Sequence, residues 1–365
     1  MLLTVLVVLA LLGLTGLALF AATRAGQEGA RRLAAVERVR DAARSAPVAL
    51  LDGWAGTGFT RLAVGAARDT VLVSLLTGDT LAPTARVRRA SPAAFLLASQ
   101  AAVVGPGTTA FPFARRTTQL VALLVPARLA LRAALTSREP LRGDAATLVD
   151  GRDTLPEGWA CDPADSGSVP AIALPPSATA GLPPGALLGA APHVLVDSGS
   201  ADVDRYRLVA PPGTAPAARP RELPSLRGPT VGPRRAADGD CDVAHDDVWG
   251  DPARASPCGD YLPLLHVAGD LVAPRGQGQG VLVVDGDLVL DGGFEFLGVV
   301  LVGGRVVGGA MPSRVMGALL VRGSGGAPSE LGALRVRWSS CVAAGALRAV
   351  GGVRPAAARG WQSGG

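Results

Sequence analysis

From Met1 to Ala22 no position is charged and most are Leu, Val or Ala; the first charge is Arg24. At about 1.5 Å per residue this run spans roughly 33 Å as a helix, enough to cross a bilayer core. Its start lacks the positive charge of a secretory signal, and it is too long to be only a signal's apolar region. The pattern therefore predicts a single membrane-spanning helix. Its anchor residues are Leu2, Leu3, Val5, Leu6, Val7, Val8, Leu9, Leu11, Leu12, Leu14, Leu17, Leu19 and Phe20. From Arg24 to Ser45 the chain turns polar but stays helix-compatible, with Leu33, Val36 and Val39 at helical spacing among Arg31, Arg32, Arg38 and Arg40. Pro47 is expected to stop the run, which makes residues 1–46 one continuous helix, lipid-facing first and amphipathic second.

Residues 47–142 read as a β-rich segment. Arg86-Val87-Arg88 alternates, then the chain turns apolar through Phe95, Leu96 and Leu97. The apolar stretch from Arg115 to Ser137 is interrupted by Pro126, Arg128 and Arg132. That argues for buried strands or a core helix rather than a second span. Residues 152–260 shift to Pro, Gly, Asp and Ser and read as a long irregular insertion.

The last third repeats. Gly269-Asp270-Leu271 returns as Gly286-Asp287-Leu288 and, in degenerate form, as Gly304-Arg305-Val306; a glycine followed by an apolar run starts at Gly280, Gly298, Gly317 and Gly332. Short strands punctuated by glycine at a period of about 18 residues are the signature of a parallel β-solenoid. Its expected core is Leu282, Val284, Leu288, Leu290, Phe296, Val300, Val302, Leu319, Val321 and Leu334. Gly143-Asp144 with Leu148-Val149 looks like an earlier coil. The predicted organisation is thus a helix over 1–46, a β-rich segment over 47–142, and a first coil plus insertion over 143–260. The solenoid follows over 261–345, with a flexible tail over 346–365. The fold class is mainly β: a long transmembrane-amphipathic helix followed by a β-rich head with a solenoid-like repeat.

A long apolar helix continuing into an amphipathic half is the plan of type IV pilins and pseudopilins, and the chain resembles the PilX-like minor pilins of bacterial type IV pilus systems. Pro156-Glu157-Gly158-Trp159-Ala160-Cys161 is similar to a turn of that family. So are the string from Gly276 to Leu288, Gly292-Gly293-Phe294-Glu295-Phe296 and Trp338-Ser339-Ser340-Cys341. The blocks cover roughly residues 240–345, and the helix matches by type. The resemblance implies a non-enzymatic structural component of a pilus or pseudopilus, single-pass in the cytoplasmic membrane, with its head in the periplasm or at the cell surface. Its implied partners are the bilayer and other pilin or pseudopilin subunits, met through the helix. Major pilins carry glutamate at the fifth mature position; Val5 here points to a minor or tip-type subunit. In such families a basic leader is cleaved after a glycine, so a start at Met1 without one fits a processed chain or a start placed downstream. The alternative is an anchored envelope module for adhesion or glycan binding, with no filament.

Composition narrows the chemistry. Charged residues are 18%, aromatics 4%, and 48 glycines and 29 prolines make the chain turn-rich. It contains no lysine, so all 35 basic residues are arginine; phosphate-loop, Schiff-base and general-base lysines are excluded. Without asparagine there is no N-glycosylation sequon. The net charge of +5 is spread out. Its densest stretch, Arg219, Arg221, Arg227, Arg234 and Arg235, has no interleaved aromatic, reads as a solvated loop and gives no nucleic-acid signal.

Gly276-Gln-Gly-Gln-Gly precedes a strand instead of a helix, against a dinucleotide fingerprint; no cofactor is expected. Asp238, Asp240 and Asp242 begin like a calcium loop, but Val243 and Trp249 stand where glycine and a bidentate glutamate belong. Cys241, His245, Cys258 and His266 lack zinc-site spacing. Four cysteines on a chain exported past a membrane favour disulfides, with three pairings open. Cys241–Cys258, across a proline-bounded loop, is the expected one, leaving Cys161 with Cys341. No Gly-x-Ser-x-Gly elbow or carboxylate pair marks an enzyme.

Overall fold

The computed structural model describes the chain apart from residues 1, 72–82, 104–113, 162–166, 184, 225–229, 324, 357–361 and 365. Helix α1 runs unbroken from Leu2 to Asp52, so Pro47 does not end it. Proline removes the N–H that would bond the carbonyl four residues back. That carbonyl is Ala43's, and the buried hydroxyl of Ser99 donates to it at 2.6 Å. The neighbouring sheet thus supplies the bond that proline takes away, and the helix continues for another turn.

That sheet begins with β1 (Ala67–Val71), β2 (Thr84–Arg89), β3 (Ala94–Val103) and β4 (Ala114–Val125), paired antiparallel in sequence order. In β2, Ala85 and Val87 are buried while Arg86 and Arg88 are exposed, the period-2 pattern of a sheet covered on one face. The end of α1 and the turn after it fill the covered face. Trp54 meets Phe59 and Phe95 with ring centroids 5.3 and 5.0 Å apart.

Short strands follow: β5 (Leu135–Ser137), β6 (Leu141–Arg142), β7 (Leu148–Asp150), β8 (Ile172–Leu174), β9 (Ala180–Gly181), β10 (Leu187–Leu188), β11 (Val194–Val196), β12 (Ala215–Pro216) and β13 (Arg221–Leu223). The repeat region holds β14 (Leu264–Val267), β15 (Leu271–Val272), β16 (Gly276–Val284), β17 (Leu288–Leu290), β18 (Phe294–Val302), β19 (Val306–Gly308), β20 (Ser313–Val321), β21 (Ser329–Glu330) and β22 (Leu334–Trp338). Helix α2 (Ser340–Val350), β23 (Gly352–Pro355) and β24 (Gln362–Gly364) close the chain.

From β14 to β22 successive strands alternate between two parallel sheets. One is ordered β10-β7-β22-β20-β18-β16-β14-β13, with β5, β8 and β11 attached beside β20; the other is ordered β15-β17-β19-β21-β6-β9. The register stacks like on like. Leu282 pairs with Val300, Val300 with Leu319, and Leu319 with Leu135. Leu282, Val284, Leu288, Leu290, Phe296, Val300, Val302, Leu319, Val321 and Leu334 belong to one apolar cluster and are at most 2% exposed. Helix α2 lies against β16, β18 and β20, so those strands are covered on both faces and read as continuous apolar runs.

Glycine permits the stacking. Gly280, Gly298 and Gly317 fall in one column, all at positive φ, and a Cβ on Gly298 or Gly317 would strike the backbone of the glycine before it. Gly332 does not join the column: Trp338 stands opposite Gly317, and Gly332 makes the turn ahead of β22.

Three further expectations are corrected. The segment expected as an early coil lies early in the chain but joins the parallel sheets beside their late strands, β7 pairing with β22 and, just ahead of it, β6 with β21. A parallel strand needs only a matching edge, whatever its place in the chain. The segment 152–260 is less irregular than its composition, because β8 to β11 extend both parallel sheets and β13 pairs with β14 at the far end. Residues 346–365 are not simply a tail. Val350 ends α2 buried, β23 pairs antiparallel with β4 and with β12, and Val353 is 1% exposed. Backbone bonding to an open sheet edge orders β23.

Candidate functional site

The first candidate is the bare half of α1. Leu3, Val5, Leu6, Val7, Val8, Leu9, Leu11, Leu12, Leu14, Leu17, Leu19 and Phe20 are all between 51% and 79% exposed, on every side of the helix. Leu2 opens the helix. A helix apolar all round has no solvated face and needs an apolar surrounding. Its hydroxyls fit that need: Thr15 donates to the Leu11 carbonyl at 3.0 Å and Thr23 to the Leu19 carbonyl at 2.6 Å. Charge begins with the exposed Arg24–Glu28 pair at 3.6 Å. By length and composition the helix can cross a membrane, and none of its most apolar window is buried within the protein.

The second half of α1 is its seat. Leu33 and Val36 remain 70% and 47% exposed, and only Val39 of the expected stripe is buried. The packed face is instead Ala35, Val39, Ala42, Ala43 and Ala46, against β3 and β4. Alanine at three- and four-residue spacing lets the backbones approach closely enough for Ser99 to reach Ala43. That spacing was visible in the sequence, but larger apolar residues drew the periodicity elsewhere.

The Trp338-Ser339-Ser340-Cys341 block ties the long insertion down. Trp338 Nε1 donates to the Gly167 carbonyl at 2.7 Å, and Ser339 caps α2 by accepting from the Val342 N–H at 3.4 Å. Ser340 donates to Asp153 through its backbone N–H at 2.9 Å and its hydroxyl at 2.6 Å, and Cys341 is bonded to Cys161. Burial alone would raise the Asp153 pKa; the bonds from Ser340, Gly167 and Thr154 outweigh it and hold the carboxyl below its usual range. The second disulfide joins Cys241 to Cys258.

The remaining candidates make structural contacts. Gly276-Gln-Gly-Gln-Gly begins β16, and buried Gln279 spends its amide nitrogen on the carbonyls of Cys258, Gly259 and Tyr261 at 2.9–3.1 Å. Among the described residues no group of His, Cys, Asp and Glu could hold a metal ion. Asp242 lies 3.5 Å from Arg234 and 3.3 Å from His245, and Asp246 accepts from Arg221 at 2.9 Å. His266 is held between Glu222 at 2.6 Å and Asp285 at 3.1 Å. Partial burial would lower its pKa, but those two carboxylates outweigh burial and raise it. The basic stretch is not one solvated loop, since Arg219 and Arg221 line a cleft while Arg227 lies outside the described residues.

No protein-family model matches the chain, and no curated protein does. A solved structure, that of the competence-associated pilin ComZ from Thermus thermophilus, is similar over 92% of this chain and 97% of that one, at 10% identity and a TM-score of 0.24. A TM-score that low does not define a shared fold.

Proposed function

We propose that this chain is a non-enzymatic structural subunit of a pilus or pseudopilus, of the minor-pilin kind. It is held in the cytoplasmic membrane by the first half of α1 and presents a head whose two parallel sheets wind as a β-solenoid. The observation that carries the reading is the division of α1. One unbroken helix is wholly uncovered and apolar over its first turns, yet packed by an alanine face onto an antiparallel sheet over its last. A helix made this way can pass from lipid into a bundle of like helices without exposing a polar group, which is what filament entry requires. Mass spectrometry of filaments sheared from cells expressing the chain tests it: its peptides should travel with the filament fraction. Retention of all the chain in the membrane, from cells that shed filaments, would favour the anchored adhesion module.

A further inference from the structure

A cleft of about 720 Å³ opens where the antiparallel sheet, the insertion and one side of α2 meet. Six arginines line it, Arg61, Arg89, Arg219, Arg221, Arg254 and Arg348, against one carboxylate, Asp260. Two of the six are matched to an acid, Arg221 to Asp246 at 2.9 Å and Arg254 to Asp260 at 3.6 Å. A surplus of like charge in a concave wall costs stability and focuses a positive potential.

The cleft arginines are also held in place. Arg89 donates to the carbonyls of Thr60, Leu62, Ser91 and Pro92 at 2.8–3.3 Å, so its charge is fixed at the wall. Arg254 lies 4.4 Å from the Trp159 ring centroid and 3.6 Å from Asp260. It is the one non-glycine residue with positive φ among the described residues, at 54°, and its Nε is buried without a hydrogen-bond partner. Backbone strain spent on a guanidinium with an unused donor is a mark of a binding position. Arg61 stands 5.9 Å from the Tyr261 ring. Neither Arg61 nor Arg219 meets a carboxylate among the described residues. The Cys161–Cys341 bridge lies in the same wall and ties it together.

We propose that this cleft binds a ligand carrying two or more oxyanion groups, carboxylate or phosphate, gripped by the forked guanidinium groups. The proposal is independent of filament entry. Calorimetry on the full chain in non-ionic detergent tests it with three probes: pyrophosphate, a galacturonate trisaccharide and the neutral trisaccharide maltotriose. Binding of pyrophosphate alone would assign a phosphate ligand, and binding of the uronate would assign an acidic glycan; either supports the site. Arg61→Ala and Arg219→Ala should each weaken the bound probe about tenfold or more, the usual worth of a charged hydrogen bond. Arg219→Glu, at an exposed position, should abolish binding, and Arg132→Ala outside the cleft should leave it unchanged. Failure of both anions to bind, equal binding of maltotriose, or affinity indifferent to the Arg61 and Arg219 changes would overturn the proposal.

Discussion

Ser99 illustrates how single residues hold this fold. Its hydroxyl reaches a carbonyl 56 positions away that a proline has orphaned. Ser99→Ala should cost about 1–3 kcal/mol, the penalty of leaving a buried carbonyl unpaired, measured by chemical denaturation of the full chain in detergent. A variant carrying Pro47→Ala as well should recover much of that loss, since the N–H of residue 47 could then take the bond. His266 makes a second residue-scale prediction. Its pKa is raised above the ordinary value near 6.5, so its contribution is complete below that value and is lost as pH rises through the folded-state pKa. Stability should therefore fall as pH rises above about 6.5, by an amount that His266→Gln removes. An equal pH response in the variant would assign the slope to other groups. Neither interaction was legible in the sequence, because each joins positions distant in the chain that only the register of the sheets brings together.

Among the elements, legibility followed length and periodicity. The long strands β16, β18 and β20 announce themselves as Val/Leu runs behind a glycine, and they follow one another at the spacing of the glycine repeat. Strands of two or three residues, such as β9, β10 and β13, carry no period and were hidden in the Pro/Gly/Asp-rich insertion. Helix α2 carries a signal of its own, Ser339 at the cap, then Val342, Ala343, Ala346, Leu347 and Val350 on one buried face. The apolar column gives a direct test. Val300 is fully buried between Leu282 and Leu319, so Val300→Asp would set an unpaired charge in the stack at a cost of several kcal/mol. Limited proteolysis should then cut throughout 260–345; a protease-resistant head would mean these strands do not depend on one another. Gly298→Ala should act in the same direction, because the added Cβ meets the Gly280 carbonyl at a positive φ.

For the whole molecule, two different surroundings are written into one helix. The head encloses two large cores, one under the antiparallel sheet and one between the parallel sheets, and neither includes a residue from the first turns of α1. Those turns leave 12 large apolar side chains uncovered, each worth about 1.5–3 kcal/mol on leaving water. The anchor was the clearest feature of the sequence, whereas the place where α1 meets the head was not, because its contacts are made by small residues. The most direct measurement is alkaline carbonate extraction of membranes from cells expressing either the full chain or a chain without residues 2–22. The full chain should stay in the membrane pellet and the shortened one should appear in the soluble fraction with a protease-resistant head. A full chain released by carbonate, or a shortened chain still retained in the pellet, would contradict the account.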